Sequence, residues 1–204
     1  CDRQRALVRE EVQFLTWDHP LVTGALDLLL GSEKGNSSFA RWPDAKVSGL
    51  YVETIYLLEC IAPPALHVDR FLPPTPLRVL VDHRGNDTGI SIPAELLTRQ
   101  LKNGEGYALL EQPELREELL PDLIEKAEAI ARQQMPGIIA QARKDMSVQL
   151  EHEIARLKEL QKVNRSVRAE EIASLVQQQQ ALDQHLRSAR LRLDAIRLIQ
   201  RGAM

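Results

Sequence analysis

Three histidines stand close to aspartates in the sequence, and a carboxylate that orients an imidazole is a common arrangement for general-base catalysis. The pairs are His19 with Asp18, His67 with Asp69, and His83 with Asp82. Each aspartate also has a local structural explanation: one precedes a helical pattern, one alternates with apolar residues, and one enters a turn. We therefore expect no catalytic residue among them. A small hydrolase that uses one of these pairs is kept as a minor alternative.

Other motifs that carry chemistry are missing from the sequence. A phosphate-binding loop requires a glycine-rich turn followed by lysine, and the chain contains no Gly-Lys pair. The segment Gly104–Gly106 lacks the third glycine of a dinucleotide-binding turn. Residues Glu151–Glu153 offer one histidine on a charged helix, whereas a zinc protease uses two. Since Cys1 and Cys60 lack metal-ligand spacing, we expect no cofactor and no metal in this chain.

The composition is that of a folded chain. Its 204 residues are 44% hydrophobic and 27% charged, with a formal net charge of −3. These values exclude disorder throughout. No apolar run approaches the roughly 18 residues of a membrane span, and the first residues lead into no signal peptide. We therefore expect a cytoplasmic protein.

Aromatic residues and prolines divide the chain into two parts. All eight aromatic residues lie at or before Tyr107, and no proline follows Pro136. Both residue types are typical of sheets, turns and compact cores. The sequence therefore predicts an α+β domain over residues 1–106 and a helical domain over residues 107–204.

The first part contains a helical pattern and several strand patterns. Apolar residues repeat with helical spacing from Leu21 to a terminating Gly31, and Pro93 opens a second helix. A hairpin turn is predicted over His83–Asp87. The predicted strands are Ser38–Trp42, Leu50–Ile61, Leu66–Leu72, Leu77–Asp82 and a short one near Ile90. These segments predict a small antiparallel sheet covered by helices.

The second part predicts a long antiparallel helical hairpin. A heptad seam runs through Ile172, Leu175, Gln179, Leu182, Leu186, Ala189, Leu193 and Ile196. A noisier upstream seam ends at Asn164–Ser166, whose residues favour a turn. Pro136 and Gly137 are expected to kink or end the preceding helix. The predicted fold class is thus α+β, a sheet followed by the hairpin.

Arginines accumulate near the end of the chain. Arg190, Arg197 and Arg201 recur with Asp194 at three- and four-residue spacing, which predicts a positive strip on the final helix. Such a strip could meet nucleic acid or an acidic protein, although cations also complement the end of a helix dipole. The candidate partner-contact residues are Arg187, Arg190, Arg197 and Arg201.

Two segments, residues 14–28 and 70–78, closely resemble the C-terminal region of the RapA (HepA) family, bacterial RNA-polymerase-associated ATPases of the Swi/Snf type. The resemblance returns at residues 192–199 and covers nearly the whole chain. It implies a parent protein that binds core RNA polymerase and uses ATP, with magnesium, to move on nucleic acid and recycle polymerase. The ATP-binding and helicase motifs of the family lie upstream of this region.

The resemblance implies a non-catalytic accessory module for this chain. Its expected partners are the motor lobes of the parent, core RNA polymerase, and RNA or DNA, without a membrane. The alternative is a structural or self-association element in which the seam pairs between two chains.

Overall fold

The computed structural model describes residues 19–31, 36–43, 48–164 and 166–202. It contains two compact units, residues 1–38 and residues 39–204. The expected division at residue 106 falls inside the second unit, because strands from both parts of the sequence share one sheet. In the first unit, helix α1 spans Pro20–Gly31. Its first turn begins at His19, whereas the capping role expected for Asp18 lies outside the described residues.

A five-stranded sheet organises the second unit, with strand order β3-β2-β5-β1-β4. The strands are β1 Ser37–Trp42, β2 Gly49–Glu59, β3 Thr75–Asp82, β4 Lys102–Asn103 and β5 Arg190–Arg201. Strand β2 pairs antiparallel with both β3 and β5, and β1 pairs antiparallel with β4. The Gly202 amide, just beyond β5, donates to the Trp42 carbonyl at 2.9 Å. The carboxyl ends of β1 and β5 therefore lie together, and the sheet is mixed.

The last strand corrects the expectation of a helix through residue 201. The second arm of the hairpin ends at Arg187, and the chain then crosses the sheet as β5. Ala189, Leu193 and Ile196 are consequently not part of a helical seam. A register shift between Ile55 and Tyr56 accommodates one extra residue of β5, Asp194. This bulge changes the phase of the strand's alternation, so the residues imitate helical spacing.

One face of the sheet carries the main core. Alternate residues of β2 (Val52, Tyr56 and Leu58) are buried on this side. They pack with buried residues of the long helix α4, Leu120–Val163. The Tyr56 hydroxyl donates to the Ile124 carbonyl at 3.3 Å, and burial raises the pKa of Tyr56.

The helical hairpin and the α+β class are confirmed. Helix α4 ends at Val163, and helix α5, Ala169–Arg187, follows it in the chain. Met146 and Leu150 of the first arm are buried in one cluster with Leu182 and Leu186 of the second. The Arg143 Nε donates to Asp183 Oδ1 at 2.6 Å between the two arms. The hairpin thus closes within a single chain.

Shorter elements connect the sheet to the hairpin. These are helix α2 Ala94–Gln100, helix α3 Tyr107–Leu110 and a π-helical stretch over Glu114–Leu119 that runs into α4. Pro93 precedes α2, as predicted. On the second face of the sheet, Leu97 of α2 is buried with Leu80 and Ile199. Helix α2 therefore covers one end of that face.

Three local predictions need correction. The strand predicted over 66–72 is absent from this segment, which instead contains a 3-10 turn over Val68–Arg70 and follows another over Pro64–Leu66. Near Ile90 there is only an isolated bridge between Val81 and Asp87. Of the two effects expected from Pro136 and Gly137, a kink or an end of the helix, the end is wrong, because helix α4 continues through Pro136. No helix in the described ranges combines the length and apolar character needed to cross a membrane.

Candidate functional site

Arginines occupy the part of the second sheet face that α2 leaves open. Residues 53, 55, 57 and 59 of β2 lie on this side, because side chains alternate along a strand. The pairing of β2 with β3 and β5 places four arginines beside them. We call this surface the arginine face; it comprises Arg78, Arg190, Arg192 and Arg197 with Glu53 and Glu59.

Glu53 binds two arginines from the neighbouring strands. Arg78 Nε donates to its Oε1 at 2.6 Å, and Arg197 Nε lies 3.4 Å from its Oε2. Arg78 Nη1 also donates to the Ile92 carbonyl at 3.0 Å. The Nη2 atom of Arg78 is buried and has no hydrogen-bond partner among the described residues. The Glu53 carboxylate is thus the main countercharge of a nearly buried guanidinium.

Glu59 forms a second shared carboxylate at the other end of β2. Arg190 donates to its Oε1 from Nη2 at 3.2 Å and from Nε at 3.3 Å. Arg192 Nε lies 3.6 Å from its Oε2, and Arg192 Nη1 donates to Asp194 at 3.0 Å. Because two arginines share each glutamate, the glutamates alone do not balance the positive charge of this face.

The charges of the arginine face lie at different depths. The side chains of the two glutamates are the less exposed, at 9% for Glu53 and 21% for Glu59. The arginine side chains are more exposed, at 36% for Arg197, 49% for Arg192 and 62% for Arg190. The carboxylates therefore lie beneath the guanidinium groups. A partner that approaches this face would therefore contact mainly the guanidinium groups, whose positions are restricted by ion pairs with the less exposed carboxylates.

Only two of the four predicted contact residues lie on this surface, Arg190 and Arg197. Arg201 is at the far end of β5, where its guanidinium carbon is 4.0 Å from the Trp42 ring centre and its Nη1 donates to the Tyr51 hydroxyl at 3.3 Å. Arg187 is on helix α5. The helical strip expected from these residues is therefore wrong, since three of them lie on a strand.

Arg187 belongs to an ion cluster that joins the hairpin arms. Its Nε donates to Asp183 Oδ2 at 2.7 Å, while Arg143 binds the other carboxylate oxygen. The hydrogen bond from Arg143, together with that from Arg187, holds the pKa of Asp183 below its usual value despite partial burial. This cluster has a structural explanation within the hairpin.

The sequence did not single out Arg78, Glu53 or Glu59. Glu53 and Glu59 are isolated charges in the otherwise uncharged strand β2, and Arg78 is an isolated charge within β3. The partners of each charge come from other strands, so no local pattern marks them. The Arg-Leu-Arg-Leu sequence at 190–193 has the two-residue period of a strand. That signal would have identified the start of β5.

The histidine and aspartate pairs have separate roles in the structure. His19 Nδ1 accepts from the Leu21 amide at 3.1 Å, and His67 has a left-handed backbone between the two 3-10 turns. Asp82 accepts from the amides of Arg84 and Asn86. Partial burial acts to raise the pKa of Asp82, but a hydrogen bond from the Asn86 side chain, together with those from the two amides, outweighs it and lowers the pKa. Asp82 therefore stabilises the turn that follows β3.

Cys60 and the candidate metal ligands also lack a reactive arrangement. The Cys60 thiol donates to the His185 carbonyl at 3.1 Å, and burial raises its pKa. The thiol is thus held in its less nucleophilic form. Within the part of the chain that the structure describes, no three His, Cys, Asp or Glu residues are grouped to hold a metal ion.

Comparison with known proteins supplies the family. The family model described as "RNA polymerase recycling family C-terminal" matches residues 1–200. This chain belongs to that family. RNA polymerase-associated protein RapA from Stutzerimonas stutzeri is 37% identical over 203 residues, which cover 98% of this chain and 21% of that protein. The RapA proteins of Actinobacillus pleuropneumoniae and Haemophilus influenzae are each 36% identical over 97% of this chain, and over 21% and 22% of their own lengths.

The match covers only a small part of each relative. The chain spans about a fifth of the length of the curated relatives it matches. The family resemblance inferred from residues 14–28, 70–78 and 192–199 is confirmed. The chain corresponds to the C-terminal region that this family model describes.

Proposed function

We propose that this domain is a non-catalytic accessory module of an ATP-dependent translocase that recycles RNA polymerase during transcription. The single observation that carries the proposal is the family match over residues 1–200 combined with the small share of each relative that it covers. In each relative, a region of this size is a small part of a larger protein. The side chains of this chain form a surface that could contact other parts of such a protein or its partners.

The positions of the reactive residues support a contact role. Asp82 accepts hydrogen bonds within a turn, His19 accepts one at the start of α1, and the Cys60 thiol is bonded to a carbonyl. The guanidinium groups of Arg190, Arg192 and Arg197 are instead exposed at the surface of the arginine face. A binding surface uses fixed charges of this kind, whereas a catalytic site needs ionisable groups that converge on a reacting atom.

The proposed partners are the motor lobes of the parent protein and core RNA polymerase, with RNA or DNA as further candidates. ATP and magnesium would be bound by the rest of the parent. All of these partners occur in the bacterial cytoplasm, where we place the domain. The arginine face is the candidate contact surface.

The alternative, self-association through the helical seam, has a specific observation against it. Ile172, Leu182 and Leu186 are already buried within the single chain. A second copy would have to displace the first arm of the hairpin to reach them. Light scattering of the chain at tens of micromolar should therefore give the mass of a monomer, and a stable dimer would favour the alternative.

The proposal is tested by removing this region from the full-length parent. The isolated chain should hydrolyse no ATP, because the proposal assigns ATP binding to the rest of the parent. The shortened parent should keep ATP hydrolysis but bind core polymerase more weakly or recycle it more slowly. ATP hydrolysis by the isolated chain would contradict the proposal. Unchanged polymerase binding and recycling by the shortened parent would contradict it as well.

A further inference from the structure

We propose that the arginine face binds an acidic protein segment that also presents aliphatic side chains, in preference to nucleic acid. This inference rests on the proposed contact function of the domain and specifies the chemistry of one partner.

The exposed guanidinium groups retain donors for a partner. A guanidinium has five N–H groups. Arg190 uses Nε and Nη2 to bind Glu59, and Arg197 lies against Glu53 through Nε. The remaining donors can bind a carboxylate of a partner with two parallel hydrogen bonds. Since the glutamates beneath already restrict the arginines, less side-chain freedom is lost when a partner binds.

Aliphatic side chains lie between the two charged clusters. Ile55 and Leu57 separate Glu53 from Glu59 on this face of β2, and Ala195 of β5 is paired with Ile55. All three are half-buried, so each presents part of its surface to solvent. A partner that carries only charge would leave this apolar surface in water. A partner with leucine or isoleucine between its carboxylates would cover it.

The spacing of the clusters sets the length of the partner segment. Glu53 and Glu59 are six residues apart on one strand, which corresponds to about 20 Å at 3.3 Å per residue. An extended acidic segment of about seven residues spans that distance. Its two ends would bind the arginines of the two clusters, and its centre would contact the aliphatic residues.

Nucleic acid is a poorer match for this surface. Proteins that bind single strands combine cations with aromatic side chains on which bases stack. Among the described residues, every large hydrophobic side chain that is exposed is aliphatic. Trp42 is buried, and its neighbour Tyr51 packs against it with ring centres 6.0 Å apart. The arginine face therefore lacks a base-stacking surface.

The experiment compares three labelled probes on the purified chain by fluorescence anisotropy. The probes are a twelve-residue peptide of repeated Glu-Leu-Gly, one of repeated Glu-Gly-Gly with equal charge, and a twelve-nucleotide uridine RNA. The variant carries Arg190→Gln with Arg192→Gln. The matched control carries Arg156→Gln with Arg168→Gln, which removes two exposed arginines from the hairpin region.

We expect the Glu-Leu-Gly peptide to bind most tightly. The face variant should weaken that binding about tenfold through the loss of charge-assisted hydrogen bonds, and the control less than about twofold. Tightest binding of the RNA, equal losses in both variants, or no binding of either peptide would overturn the inference. A pull-down of core polymerase by the full-length parent separates the two proposals. Retained binding in the face variant contradicts this inference alone, whereas no binding by the unmodified parent contradicts the proposed function.

Discussion

Removing the negative charge of Glu53 should destabilise the domain more than the same change at Glu59. Its side chain is 9% exposed and faces Arg78, which is 18% exposed, and Arg197. In Glu53→Gln, the guanidinium of Arg78 loses its carboxylate while it stays nearly buried. Breaking a fully buried pair costs about 3–5 kcal/mol. Because Arg197 is more exposed, we expect about 3 kcal/mol.

The matched control is Glu59→Gln, which also removes one carboxylate shared by two arginines. Its partners Arg190 and Arg192 are about half exposed or more and can be solvated by water. The expected loss is below about 1 kcal/mol. Urea denaturation followed by circular dichroism measures both values, provided that the urea dependence of the unfolding free energy is unchanged. Equal losses in the two variants would refute the assigned depth of these carboxylates.

The remaining predictions concern backbone fit and pH. Gly137→Ala should raise the melting temperature by a few degrees, because this exposed position in α4 has nothing within 4 Å of an added Cβ and alanine stabilises a helix interior by about 0.5–1 kcal/mol over glycine. Gly106→Ala should cost about 1–3 kcal/mol in urea denaturation, because the added Cβ would lie 2.6 Å from Cγ of Phe39; an unchanged midpoint would contradict that contact. Asp183→Asn should lower stability at neutral pH, and the difference from the unmodified chain should disappear as pH falls below about 4. The folded-state pKa of Asp183 is lowered by Arg143, so its contribution is present above the unfolded value near 3.9 and is lost on protonation. A difference that grows with acid would contradict this assignment.

Local sequence patterns predicted much of the fold. The β-branched and aromatic segments gave β1, β2 and β3 close to their observed ends, and Pro93 marked the start of α2. The upstream seam and the turn signal at 164–166 predicted the hairpin. These features depend on neighbouring residues along the chain, so a single sequence contains them.

The last strand could not be predicted in the same way. Leu191 and Leu193 alternate with arginines as in a strand, but the bulged Asp194 shifts the phase before Ile196 and Leu198. The shifted pattern then matches helical spacing. The strand is stabilised by pairing with β2, which lies more than a hundred residues earlier, and that contact leaves no local signal.

The candidate site depended on the same long-range pairing. Arginines near the end of the chain were visible as a charge cluster, but the helix assumption placed them on the wrong type of surface. Glu53, Glu59 and Arg78 lie on β2 and β3, and only the sheet brings them beside Arg190 and Arg197. The depth difference between carboxylates and guanidinium groups is likewise a property of the folded sheet.

The affinity of the purified chain for core RNA polymerase tests the central claim most directly. Biolayer interferometry at low and at high salt should show binding that weakens as salt is added, because the proposed contact is between charges. Replacing Arg190 and Arg192 with glutamine should weaken it further, whereas the same change at Arg156 and Arg168 should not. Undetectable binding, or binding that neither salt nor the first pair of substitutions affects, would contradict the account.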